Sequence, residues 1–289
     1  MKLVMYGVPY QERPGVLLGD RILDLERDDL GCPRSIEEIL ESGLLPEVSE
    51  LAESDVAQRE PLVLLDQTRL GPPLAGIGKV IACGLNYRAH AAETGAELPT
   101  SPLLFSKAGT TIAGPYDDLE LPPTSWSDAV DYEVELGVVI GTVCRGVAPE
   151  DALAYVAGYT IVNDVTARDI QRRESQWFRA KSYDGFCPVG PWLATPDEVD
   201  DPQDLELWTQ VNGTDRQRSN TGDMVFPVCE LISFISQGIT LQPGDLIATG
   251  TPSGIGGGMT PPGFLRAGDL VEMGISGLGT HRYRVVSAR

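Results

Sequence analysis

The chain has 289 residues, 42% of them hydrophobic, which is enough to fill a substantial core; its 32 Gly and 22 Pro point to short strands joined by turns and away from a helix bundle. Lys and Arg number 22 against 42 Asp and Glu, a formal net charge of −20. That field repels nucleic acid and anionic membranes, so a site for an anionic substrate must be made locally positive by a metal or by a few placed Lys and Arg.

The first residues, MKLVMYGVPYQERPG, contain no apolar signal core, and no run of about 18 apolar residues occurs. The expectation is a cytoplasmic protein. Residues 1–75 read as a small N-terminal α+β domain and 76–289 as the larger one. In the first, Gly15 to Leu25 forms a hairpin turning at Gly19-Asp20. A helix follows with Ser35 as N-cap and Glu38 completing a capping box, then a strand at Leu62–Leu65. The break falls near Gly71-Pro-Pro73 and Gly76-Ile-Gly78.

Beyond Lys79 the texture is strand, turn, strand. Val80–Gly84 reads as a strand, Asn86–Thr94 as a short helix, Leu103–Phe105 as a strand and Ala129–Ile140 as one long apolar strand. A helix over Pro149–Ala157 leads into a strand at Tyr159–Val162. Asn212-Gly213 marks a hairpin, Pro227–Gln237 an amphipathic helix, and Pro243-Gly-Asp245 and Ala267-Gly-Asp269 each precede an apolar strand.

Five cysteines (Cys32, Cys83, Cys144, Cys187 and Cys229), odd in number and without a C-x-x-C pair, read as reduced thiols. With only two histidines, His90 and His281, His-rich metal sites are excluded, so a metal has to be held mainly by oxygen. Asp131, Glu133 and Glu135 alternate along a strand and should share one face. Three buried acids there repel one another and resist desolvation unless a divalent cation sits among them; otherwise the face is wet. Asp164, ending the next predicted strand, can converge on them, whereas Asp169 reads as a partner for Arg168. Such a carboxylate set suits Mg²⁺ or Mn²⁺, with Ca²⁺ also compatible.

His90 and Glu93, three apart on a short helix, share a face and form either a base dyad or a surface pair. Lys181 is a lone cation among turn residues, suited to an anionic oxygen. The Gly250-Thr251-Pro-Ser-Gly254 turn offers hydroxyls and backbone N–H groups for a carboxylate. Gly256-Gly-Gly258 reads as a flexible loop, not a nucleotide site, and Gly274-Ile-Ser276-Gly277 falls one position short of a nucleophile elbow.

In this order the segments resemble the fumarylacetoacetate hydrolase family. They are G-x-N-Y-x-x-H at Gly84–His90, D-Y-E-x-E-L at Asp131–Leu136, N-D-V-T-A-R-D-x-Q at Asn163–Gln171, K-S-x-D-x-F-C-P at Lys181–Pro188, V-N-G at Val211, and P-G-D-x-I-x-T-G-T-P-S-G at Pro243–Gly254. The resemblance implies a β-rich α+β fold, a mixed β-sandwich roll or barrel with a small N-terminal domain, and a homodimer. It implies Glu133, Glu135 and Asp164 as metal ligands, His90 with Glu93 as the water-activating dyad, Lys181 as a catalytic lysine, and Gln171, Thr251 and Gly250 at the substrate. Asn86 stands near a fourth acidic ligand of the founding enzymes and is not counted as one; Asp184-Gly-Phe replaces the more frequent D-T-F. The implied reaction is C–C cleavage of a 2,4-dioxo acid to pyruvate or a related 2-oxo acid. Decarboxylation of oxaloacetate, isomerisation of a 2-oxo diacid and a non-catalytic scaffold are the alternatives.

Overall fold

The computed structural model describes residues 1–54 and 62–288. Two antiparallel-rich sheets pack around the strands Val134–Ile140 and Val156–Asn163, every residue of which is buried. The larger sheet runs Val63–Leu64, Arg21–Asp24, Arg13–Leu18, Lys2–Tyr6, Cys187–Ala194, Val156–Asn163, Val134–Ile140, Leu246–Ala248, Val80–Gly84, Leu103–Lys107. The smaller one runs Thr214–Asn220, Glu206–Val211, Leu270–Ile275, Gly279–Val286, Leu119–Glu120.

Strand alternation explains how one segment serves both layers. Leu136, Val138 and Ile140 point into a core shared with Leu207, Met273 and Ile275 of the smaller sheet. Val139 points the other way, into a core with Leu3, Val16, Ile36 and Ile39. Gly137 lies where Val134–Ile140 and Val156–Asn163 approach closely: a Cβ there would come 2.7 Å from Val162 Cγ2.

The N-terminal segment is joined to the rest by backbone pairing. Lys2 and Leu3 register against Ala194 and Leu193, so its strands extend the catalytic sheet. The hairpin turning at Gly19-Asp20 and the helix Ile36–Glu41 are where the sequence places them. Ser35 Oγ accepts the Glu38 N–H at 3.1 Å, but the Glu38 carboxylate reaches back to the Arg34 N–H at 2.8 Å, one residue beyond the cap.

Two elements differ from expectation. The segment 129–140 is two strands, Val130–Asp131 and Val134–Ile140, interrupted at Tyr132-Glu133. The first pairs with Thr166–Ala167, not with the main sheet. Pro149–Tyr155 is a 3₁₀ helix, its Pro at the start and Ala152 packed inward. All five cysteines are free thiols. Among the described residues no helix is long and apolar enough to cross a membrane.

Candidate active site

Glu133, Glu135 and Asp164 each offer a carboxylate oxygen within 4.8 Å of the others, and all three are buried. The antiparallel pairing of Val134 with Asn163 and Glu135 with Val162 brings them together, placing Asp164 just past the strand end opposite Glu133. The Asp164 N–H donates to the Glu133 carbonyl at 2.9 Å and locks that juncture. Asn163 Oδ1 accepts the Glu133 N–H at 2.8 Å.

Cations surround the triad. Lys181 Nζ lies 2.5 Å from Glu133 Oε2 and 2.6 Å from Asp164 Oδ2. Lys107 Nζ, fully buried, lies 2.6 Å from Asp164 Oδ1 and also donates to the Lys181 carbonyl. Arg168 Nη2 donates to Glu133 Oε1 at 2.5 Å and Nε to Asp131 Oδ2 at 2.8 Å. Burial alone would raise Glu133, but Arg168 and then Lys181 outweigh it and hold this carboxyl far below its usual range. Glu135 is pushed well up, by burial first and by Asp164 and Glu133 next. Burial works against the Lys181 charge, yet Asp164 and Glu133 raise its pKa.

This imbalance is what a hard divalent cation corrects. The donors are oxygen only, buried and convergent, and Glu135 is the acid the lysines leave uncompensated. The residues fit such an ion.

Asp131 is not part of this set. Because the strand breaks after it, its carboxylate turns to accept Arg168 Nε and the N–H groups of Gly256 at 2.8 Å and Gly257 at 2.9 Å. The Gly256–Gly258 run is therefore a clamped 3₁₀ turn, contrary to the flexible loop read from its composition. A Cβ on Gly256 would lie 2.4 Å from the Gly263 carbonyl, and one on Gly258 2.6 Å from Glu93 Cδ. Asp169 does not pair with Arg168 either; it accepts from Ser127 Oγ at 2.5 Å.

His90 and Glu93 sit on the helix Arg88–Thr94, with His90 Nδ1 3.2 Å from Glu93 Oε2. Glu93 Oε1 accepts the Gly254 N–H at 2.9 Å, which fixes the carboxylate from its far side. Asn86 has no free polar edge for a metal: its amide bridges Phe226 and the Thr249 carbonyl as a structural staple.

The Gly250–Gly254 turn serves the protein's own groups. Gly250 N–H donates to Glu135 Oε2 at 2.8 Å, so this donor positions a triad member and is not open to a substrate carboxylate. Thr251 Oγ1 donates to the Val134 carbonyl and accepts from Gln217 Nε2. Thr251 still reaches the cavity wall.

The triad, His90, Lys181 and Gln171 open into one cavity of about 330 Å³, at the small end for ligand sites. Its wall includes Cys83, Phe105 and Trp177. The two aromatic rings meet edge to face at 5.4 Å, and a Cβ on Gly84 would strike Trp177 at 2.5 Å, so this wall is closely fitted. Burial pushes the Cys83 thiol up to about 12, with Glu135 adding to it, so it is no thiolate nucleophile.

Residues 79–286 match the family model described as Fumarylacetoacetate (FAA) hydrolase C-terminal. The chain is 47% identical over 291 residues to a 2,4-didehydro-3-deoxy-L-rhamnonate hydrolase of Sphingomonas sp. strain SKA58, covering 99% of this chain and 96% of that protein. A fumarylacetoacetate hydrolase structure from psychrophilic Exiguobacterium antarcticum superposes with TM-score 0.88 at 38% identity, covering all of both chains. A maleylpyruvate hydrolase from Sphingobium sp. SYK-6, solved with manganese(II) and pyruvate, gives 0.83 at 31%, again over all of both chains. With the model matched over most of its length and its acid triad assembled, the chain belongs to the fumarylacetoacetate hydrolase family.

Proposed function

We propose that this protein, loaded with Mg²⁺ or Mn²⁺, hydrolyses the C3–C4 bond of a 2,4-dioxo-3-deoxy sugar acid to pyruvate and a short hydroxy acid. The observation that carries this reading is the convergence of the Glu133–Glu135–Asp164 triad with His90, itself held by Glu93, on one small cavity. The extended likeness to the Sphingomonas rhamnonate-derivative hydrolase supports a sugar-acid substrate.

When bound, a divalent ion at the triad supplies Lewis-acid polarisation and charge for an enolate. The chain's own groups do the rest. Glu93 takes the Nδ1–H of His90, which leaves Nε2 as the acceptor for a proton from water. Water oxygen adds to C4; the C3–C4 bond then breaks, C4 leaving as a carboxylate and C3 as an enolate that takes a proton to become the pyruvate methyl. Lys181 spends two of its three N–H donors on Glu133 and Asp164, so the third is available to the enolate oxygen.

Purified protein given Mn²⁺ and 2,4-dioxo-5-hydroxyhexanoate tests this. Equal amounts of pyruvate and lactate are expected, with isotopically heavy water oxygen incorporated into the lactate carboxylate. Turnover without that label overturns hydrolysis. A second reading is an isomerase or decarboxylase using the same enolate without water. A neighbour from Mycobacterium abscessus, described as a probable 2-hydroxyhepta-2,4-diene-1,7-dioate isomerase, superposes with TM-score 0.83 at 36% identity.

A further inference from the structure

We infer that Arg172 is a specificity-determining residue, selecting substrates whose acyl end carries an oxygen acceptor over those ending in plain alkyl. The inference rests on the dioxo-acid reading above and adds which acyl ends the cavity favours.

Arg168, Gln171 and Arg172 occupy positions i, i+3 and i+4 of the short helix Arg168–Arg173 and share one face, and all three line the cavity. Their donors are used differently. Arg168 is engaged at all three nitrogens, its Nε and Nη2 on Asp131 and Glu133. Its Nη1 donates to Gln171 Oε1 at 3.0 Å, which sets the amide so that Nε2 is the end turned away from Arg168. Lys181 is held between Glu133 and Asp164. Arg172, in contrast, is exposed and makes no ion pair among the described residues.

Other surface arginines, such as Arg145 and Arg266, also stand without an ion pair among the described residues; what distinguishes Arg172 is that it lines the cavity. Arg172 faces the cavity with its donors uncommitted. With the buried triad taking the 2-oxo acid end, the acyl end would extend toward the exposed side of the cavity, where Arg172 lies. The cavity wall also carries Leu85 and Ala96, whose side chains offer an oxygen no partner. A planar guanidinium beside an oriented amide recognises a hydroxyl or a carboxylate and discriminates against alkyl, because a bound alkyl chain would desolvate these donors without replacing their hydrogen bonds.

The test uses metal-loaded, full-length protein and three 2-oxo acids that lack the second carbonyl and cannot be cleaved: 2-oxohexanoate, 5-hydroxy-2-oxohexanoate and 2-oxoheptanedioate. Calorimetric Kd values for wild type, Arg172→Leu and Arg172→Lys read recognition apart from turnover, so loss of the hydrolytic reading would not disturb the result. Wild type is expected to bind the hydroxylated or the dicarboxylic ligand at least about tenfold more tightly than 2-oxohexanoate. Which of the two gains more tells whether hydroxyl or carboxylate is the natural acceptor. Arg172→Leu should collapse that preference to about twofold or less, and Arg172→Lys should restore part of it for the dicarboxylate. If wild type shows no preference, or if Arg172→Leu weakens all three ligands in parallel, the inference is overturned.

Discussion

Arg168 and Asp131 form a buried ion pair at 2.8 Å, and through it one acid of the D-Y-E-x-E segment is withdrawn from the metal-binding set. The same guanidinium grips Glu133, so a single side chain separates a structural acid from a ligand acid. Removing it with Arg168→Met leaves Asp131 and Glu133 short of their compensating charge. The expected loss is about 3–5 kcal/mol of unfolding free energy, read from urea titration. Arg168→Lys should recover little, because one ammonium cannot span both carboxylates. Stability within 1 kcal/mol of wild type would show the pair to be incidental.

Asp131→Asn separates the two roles of the acids. It should preserve one bound manganese per chain, since this side chain faces Gly256 and Gly257. It should also loosen that turn and speed amide exchange there. Loss of the bound manganese would place Asp131 among the ligands after all.

Glu135 leads to a less obvious expectation. In metal-free protein it is the acid that burial, Asp164 and Glu133 together disfavour as a charge. Glu135→Gln keeps an acceptor for the Gly250 N–H and removes the repulsion. The metal-free variant should therefore melt no lower than wild type, while the Tm rise that wild type shows on adding Mn²⁺ should vanish. A persistent metal-induced rise would exclude Glu135 as a ligand.

His281 sets an acid limit on stability. It is buried, its Nε2 is 2.9 Å from the Gly190 carbonyl, and burial pushes its pKa down to about 4. The neutral ring is favoured by folding, so its contribution is intact above the unfolded value near 6.5 and is lost as pH falls toward 4. Between pH 7 and pH 5 this single group should remove about 2 kcal/mol. The acid-induced loss should be smaller by that amount in His281→Gln, measured by urea midpoints at the two pH values; equal losses would remove His281 as the cause.

What the sequence made legible follows from periodicity. Glu135 lies on the strand Val134–Ile140 with Glu133 just before it, and Asp164 follows the end of the partner strand, so alternation carried across that junction puts them together. His90 and Glu93 obey helical spacing in the same way. Asp131 was misplaced because alternation says nothing about a strand that breaks at Tyr132-Glu133 and re-pairs elsewhere. The Gly256 run misled because composition reports freedom, whereas the fold uses the missing Cβ atoms for close approach to Asp131 and Glu93. Lys107 went unseen: at the end of Leu103–Lys107 it looks like a solvent-seeking terminus. The available signal was that it shares a face with Phe105, which lines the cavity. The union of the N-terminal strands with the catalytic sheet depends on pairing across nearly two hundred residues, which no local pattern records.

Anomalous diffraction at the manganese edge, from crystals grown with Mn²⁺, addresses the central claim without reference to any substrate. A single strong peak is expected, about 2.0–2.6 Å from one oxygen each of Glu133, Glu135 and Asp164. A peak elsewhere, or a fully occupied site missing any of these three carboxylates, would contradict it.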